Sequence, residues 1–234
     1  MNKRKRSVKP QNPYTENKDK FSFIWLGQTI CKYKVPFDIF NVINGIYETN
    51  FRNLPDAHKQ LVGKIGKENS LFFNGAENKL MYQHNLLPPY VLDWFESKFK
   101  HYLDFNKINP YEIHLESIWI NEMKAGEYNP IHIHKGTIFT GLSSVMMLKL
   151  PTDMGPEYAR PDQPMNGKLQ IVGSANGHFV KSDYSPIIKE RDFYVFPYDM
   201  RHCVYPHTNP NAIRRTLAAN MDVQYDPVAT RTAG

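Results

Sequence analysis

The apolar pattern of the chain changes character near residue 110. Between residues 36 and 105, apolar positions recur at helical spacing; beyond residue 110 they alternate. Ile39, Val42, Ile43 and Ile46 predict a helix over 36–51, with Pro36 suited to its first turn. A second, weaker helix is expected over 55–68. The strongest is expected over 88–105, where two prolines open it and Val91, Phe95, Phe99 and Tyr102 form one stripe. That stripe reads as a helix face packed on a sheet. Before these helices, FSFIWLG (21–27) alternates like a strand. After them come YEIHLESIWINEM (111–123), NPIHIH (129–134) and short β-type runs at 143–150, 167–173, 177–181, 192–197, 202–206 and 214–223. Turn-rich segments such as 151–167 separate them. About eight short strands without helices between them predict a sandwich or barrel. The expected class is α+β, mainly β, with N-terminal helices buttressing one sheet. A single domain is expected, made of a disordered tail (1–19), a helical support region (20–110) and a β core (111–226).

Composition changes this picture little. A chain of 234 residues buries a core without staples. Cys31 and Cys203 form no paired motif, which fits a reducing compartment. No apolar run is long enough to cross a membrane, and no apolar stretch follows the basic N-terminus as a secretory signal would. The expected location is therefore cytoplasmic, without membrane partners. The formal charge of +6 is concentrated in Lys3, Arg4, Lys5, Arg6 and Lys9, so the body is close to neutral. Such a tail suits weak contact with a polyanion, or a solvated terminus that aids solubility.

The candidate chemistry lies in the histidines. In a strand, residues i and i+2 share a face, so His132 and His134 point one way while Ile131 and Ile133 point the other. His202 opens a strand just after the turn that follows Phe196-Pro197, near the mouth of the expected barrel. Neutral imidazoles ligate Fe, Zn, Cu and Ni, and three can cap one face of an octahedron. His58 and His101 fall in helical patterns; His84, His114, His178 and His207 have no partner spacing. Twelve residues after His202 comes Arg214. It shares a strand face with Thr216, Ala218 and Asn220, a set that suits a polar cavity. A buried arginine there could bind the far carboxylate of a dicarboxylic cosubstrate.

Together, W-x-N-x4-G-x-Y-N (Trp119, Asn121, Gly126, Tyr128, Asn129), His132-x-His134, SSVMMLKLP (Ser143 to Pro151), FP-x4-H (Phe196, Pro197, His202) and R-x5-N (Arg214, Asn220) resemble the 2-oxoglutarate/Fe(II) oxygenases of the type that recurs in tailed-phage genomes. The resemblance covers about residues 111–224. It implies a double-stranded β-helix (jelly roll), Fe(II) and 2-oxoglutarate as cofactors, and a dioxygenase that acts in the host cytoplasm if phage-encoded. It also implies His132 and His202 as iron ligands, His134 as the third, and Arg214 on the distal carboxylate of 2-oxoglutarate. Asn121, Tyr128 and Asn220 are further cosubstrate-side candidates, and Lys149 a weaker one. The substrate class stays open among a peptide side chain, a nucleobase and a small metabolite.

The motif departs from the usual triad of two histidines and a carboxylate, because His134 stands at the carboxylate position. Asp199 is the nearby acid that could substitute, although its place reads as a turn. Two other readings are carried forward. Gly126-x5-His132-x-His134 also opens a cupin motif, but the glutamate expected soon afterwards is missing from KGTIFTG. A jelly roll with a binding or structural role is the third reading.

Overall fold

The computed structural model describes residues 27–57, 62–75, 82–174 and 177–228. The basic tail, nearly all of the expected strand 21–27 and His58 lie outside them. The elements are β1 (Cys31–Lys34), α1 (Phe37–Asn50), β2 (Lys67–Phe73), β3 (His84–Asn85), α2 (Pro89–Phe105), β4 (Tyr111–Met123) and β5 (Asn129–His132). After these come β6 (Gly141–Lys149), β7 (Leu169–Val172), β8 (Asp183–Tyr184), β9 (Asp192–Pro197), β10 (Arg201–Val204) and β11 (Arg214–Tyr225).

Two antiparallel sheets result. The larger runs β1-β9-β6-β11-β4-β2-β3 and the smaller β5-β10-β7-β8. From β4 onward the chain shuttles between them, and each sheet receives four of the eight strands β4–β11. This is a double-stranded β-helix, mainly β, with helices set against the larger sheet. Strand β11 lies centrally between β4 and β6, so both its edges are hydrogen-bonded.

The two faces of the larger sheet carry different cores. The outer face packs on the helices. Val91, Phe95, Phe99 and Tyr102 of α2, with Ile39, Ile43 and Tyr47 of α1, meet Ile118, Ile120, Phe193, Val195, Leu217, Ala219 and Met221. Phe193 is a hub, with ring centroids 5.1 Å from Trp94, 5.6 Å from Phe95 and 6.2 Å from Tyr33. Truncating so large a buried ring costs about 3–5 kcal/mol. The inner face, between the sheets, holds a smaller cluster of Met123, Met147, Leu169, Ile171, Tyr194, Phe196 and Val204. Strand alternation explains the split, since neighbours along β9 fall into opposite cores, Phe193 and Val195 into the outer and Tyr194 and Phe196 into the inner.

Three expectations differ from the structure. Residues 62–68 form no helix, because Gly63 sits at φ 130° and β2 begins at Lys67. The expected strand at 177–181 is absent. Phe179 there is fully exposed, and pairing starts only at Asp183. The N-terminal region also adds β1, β2 and β3 to the larger sheet, beyond its two helices.

Candidate metal centre

His132 ends β5 and His202 sits in β10, and the two are directly opposed in the antiparallel register. Their ring centroids lie 4.2 Å apart. His134 follows two residues beyond β5, where its backbone N–H donates to the Tyr198 carbonyl at 3.0 Å. That bond folds the segment back toward the turn before His202. One ligand atom from each of the three rings lies within 4.8 Å of the others. Nε2 of His134 and Nε2 of His202 are 3.1 Å apart. Nitrogens at ~2.0–2.1 Å from a shared ion are separated by roughly 3 Å when they span adjacent octahedral positions.

Local hydrogen bonds aim two of the rings. His132 Nδ1 donates to the Pro130 carbonyl at 2.7 Å, and His202 Nδ1 to the Met200 carbonyl at 3.0 Å. Each bond fixes the tautomer that leaves Nε2 as a lone-pair donor. Burial pushes all three imidazoles below the usual histidine range. His202 falls to about 3, with the charge of His132 adding to burial. His134 falls well below its ordinary value through burial and then the charges of His202 and His132. His132 also falls, although its bond to Pro130 opposes the burial. Neutral imidazoles at physiological pH are the form a metal requires.

Behind the histidines, the inner face of the larger sheet is polar. Trp119 and Asn121 of β4, Ser143 of β6, and Arg214 and Asn220 of β11 all have the strand parity that faces between the sheets. All are buried. Trp119 Nε1, Asn121 Oδ1, Ser143 Oγ, Arg214 Nε and Asn220 Oδ1 each lack a hydrogen-bond partner among the described residues. Buried polar atoms are normally satisfied, so five orphans on one face mark a site for a polar ligand. Arg214 is the extreme case. It is 0% exposed, and among the described residues its Nη atoms reach only the sulfurs of Met123 and Met147, each at 3.8 Å. Burial alone lowers its guanidinium to about 10. The residues fit the group implied by the sequence: three neutral nitrogen donors for a divalent metal, and a buried cation for a carboxylate.

The remaining candidates lie elsewhere. Tyr128 is 42% exposed, and its backbone pairs with Lys64. Lys149 ends β6 with its side chain exposed. Asp199 accepts from Gln28 Nε2 at 3.1 Å and is not among the three converging residues. His101 bonds Tyr33, and His84 bonds Ser70 and Tyr82. His207 is buried with Nε2 donating to the Met123 carbonyl at 3.2 Å.

Sequence reading missed a carboxylate knot below the metal centre. A bulge where β4 meets Asn220 and Met221 turns Glu116 beside Asp222. Tyr198 Oη donates to Asp222 Oδ1 at 3.0 Å, the Ile138 N–H to Asp222 Oδ2 at 3.0 Å, and Thr137 Oγ1 to Glu116 Oε2 at 3.2 Å. The knot ties down the loop that follows His134. Gly136 is required there, because any Cβ would collide with the Asp222 carboxylate. No spacing in the sequence signals this, since it depends on the bulge.

Residues 117–220 match a family model described as "Putative 2OG-Fe(II) oxygenase". No curated protein matches the chain by sequence. Among solved structures, the chain is similar to an oxidoreductase of the 2OG-Fe(II) oxygenase family from Burkholderia pseudomallei. That likeness has 13% identity and a TM-score of 0.53, and covers 82% of this chain and 84% of that one. A Pseudomonas putida prolyl-4-hydroxylase has 12% identity and a TM-score of 0.48, with 84% and 92% covered. A Trichoplax adhaerens prolyl hydroxylase in complex with a hypoxia inducible factor peptide fragment has 12% identity and a TM-score of 0.49, with 88% and 86% covered.

Proposed function

We propose that this chain, a member of the 2OG-Fe(II) oxygenase family through residues 117–220, holds its iron on His132, His134 and His202 and its cosubstrate on Arg214. The chain is an Fe(II)- and 2-oxoglutarate-dependent oxygenase, an oxidoreductase. The observation that carries the residue assignment is Arg214: a cation sealed from water, without an anion among the described residues, on the face that leads to three converging neutral imidazoles.

When bound, Fe(II) and 2-oxoglutarate together supply the oxidising power, with O2 consumed, the keto acid decarboxylated to succinate and one oxygen atom delivered to the substrate. The protein's share is placement. Pro130 and Met200 orient two imidazoles, and the Tyr198 carbonyl holds the segment carrying the third. Arg214 would hold the distal carboxylate, with Met123 and Met147 flanking its guanidinium. Asn121 and Asn220 offer amides along the way, and Tyr128, partly exposed, is a further candidate contact. The aromatic wall of Trp119 and Phe196 flanks the rings, 5.9 Å from His134 and 4.8 Å from His202. The resemblance to the type found in tailed phages supports a phage origin and action in the host cytoplasm; no helix of the described residues is long and apolar enough to cross a membrane.

Anaerobic titration with Fe(II) and 2-oxoglutarate tests the reading. Wild type should develop the weak visible charge-transfer band of a chelated keto acid, and His134→Ala and His202→Ala should lose it. A wild-type protein that binds Fe(II) without a change on adding 2-oxoglutarate would favour a cupin-like metal enzyme. One that binds no metal would favour a jelly roll with a binding or structural role.

A further inference from the structure

His134 differs from its two partners in what holds its second nitrogen. His132 and His202 each donate Nδ1–H to the carbonyl two residues earlier, at 2.7 and 3.0 Å. His134 makes no such bond. Among the described residues, the polar group at hydrogen-bonding distance from its Nδ1 is the Asn220 side-chain amide, with the nitrogen at 3.4 Å. The other end of that amide, Oδ1, is buried and has no partner. An asparagine amide reads almost the same when rotated by 180°, and the hydrogen-bond network decides its direction. As oriented, the amide N–H would donate to Nδ1. The proton would then sit on Nε2, the nitrogen that faces His202 Nε2. Rotated, Oδ1 accepts from Nδ1–H, the orphan is satisfied, and all three rings present a lone pair at Nε2.

The need for this contact follows from the residue type. A carboxylate has no tautomers, so a triad with a carboxylate at this position requires no such partner. An imidazole there must have its proton held on the outer nitrogen. The bulge beside Asn220 and its place on central β11 fix the amide in position. We propose that Asn220 is the positioning residue that locks His134 as the Nδ1–H tautomer and so makes it a ligand. This rests on the three-histidine reading above. With Oδ1 engaged, the Asn220 N–H group is turned away from His134, free to face the cosubstrate.

Two measurements on the full chain test the proposal. Long-range proton–nitrogen correlation of 15N-histidine-labelled, metal-free protein reports which nitrogen of each ring carries the proton. Wild type should show Nδ1–H at His134, as at His132 and His202. Asn220→Leu should move His134 alone toward Nε2–H, whereas Asn220→Asp, whose carboxylate accepts the same bond, should keep Nδ1–H. Co(II) titration should follow the same order. Asn220→Leu should lose about 10- to 100-fold in affinity and Asn220→Asp should stay near wild type. An Nε2–H signal at His134 in wild type would overturn the proposal, even if Asn220→Leu proves insoluble. Equal Co(II) affinity in wild type and Asn220→Leu would overturn it too, as would equal losses in both variants. A wild-type protein that fails to bind Co(II) would instead remove the three-histidine site on which the proposal stands.

Discussion

Arg214 and Arg215 are neighbours on one strand, and both are buried. Arg215 faces the helices. Its Nε donates to Glu122 at 2.8 Å, its Nη2 lies 2.6 Å from the same carboxylate, and its Nη1 lies 2.6 Å from Glu48 of α1. Its guanidinium also stacks on Tyr47 at 4.4 Å. Burial pushes its pKa down, but the bonds to Glu122 and Glu48 outweigh burial and hold it above the usual arginine value. Arg214 faces between the sheets and meets two thioethers. One peptide bond therefore separates a cation completed by the fold from a cation that the fold leaves incomplete. Structural charge belongs to the helix side of the larger sheet, and unsatisfied, ligand-seeking charge to the other.

The largest expected effect breaks the structural half. Arg215→Met strands Glu122, which is 8% exposed, and leaves Lys67 at 3.8 Å as its remaining ion-pair contact among the described residues. Loss of one partner of a buried pair costs about 3–5 kcal/mol, so urea unfolding should show a clear fall in midpoint. The Glu48 arm contributes little of this, because that carboxylate is largely exposed. The Kd for 2-oxoglutarate, measured on the folded fraction, should move less than threefold. A large loss of cosubstrate binding without loss of stability would reverse the two roles.

Next comes the functional half. Arg214→Met should weaken 2-oxoglutarate binding by about 2–5 kcal/mol, or roughly 30-fold to several thousand-fold in Kd. The same change should raise stability, because it replaces an uncompensated buried cation with an apolar chain beside Met123 and Met147. Such exchanges range from neutral to about 4 kcal/mol stabilising. Calorimetry of the metal-loaded protein and thermal melts of the metal-free one separate the two effects. A destabilised variant with unchanged cosubstrate affinity would mean that Arg214 is structural after all.

This contrast was half legible in the sequence. Alternation along 214–223 separates Arg214, Thr216, Ala218 and Asn220 from Arg215, Leu217, Ala219 and Met221, and the structure keeps those two sets apart. The α2 stripe and the long strand 111–123 were readable for the same reason: their period is local. What was not readable depends on partners distant in sequence. Nothing around Arg215 indicates that Glu122 and Glu48 will reach it, and nothing around Arg214 indicates that Met123 and Met147 will flank it. The three added strands of the N-terminal region are short and lack clear alternation, and they form because the edges of the larger sheet accept them. The ligand histidines were legible as types and spacings, whereas the Asn220 contact required the register of β11 against its neighbours.

The smallest prediction takes the contrast to the other end of the inner face, where the uncompensated charge is negative. Glu116 and Asp222 lie together, and neither forms an ion pair with a lysine or arginine among the described residues. Burial, then the charge of Asp222, pushes the Glu116 carboxyl above its ordinary value of 4.5. A carboxyl raised on folding adds stability below its unfolded pKa and loses that contribution as pH rises through the folded one. At neutral pH the ionised Glu116 carboxylate therefore opposes folding. Glu116→Gln keeps an oxygen that can accept from Thr137 and removes the charge. It should stabilise the protein at pH 7 by a few tenths of a kcal/mol, a small value because solvent screens a half-exposed carboxylate. The gain should vanish as pH falls below about 4.5. Paired urea titrations at pH 7 and pH 4 measure it. A variant less stable than wild type at pH 7, or a difference that ignores pH, would mean that Glu116 holds the loop after His134 through its hydrogen bond and that its charge matters little.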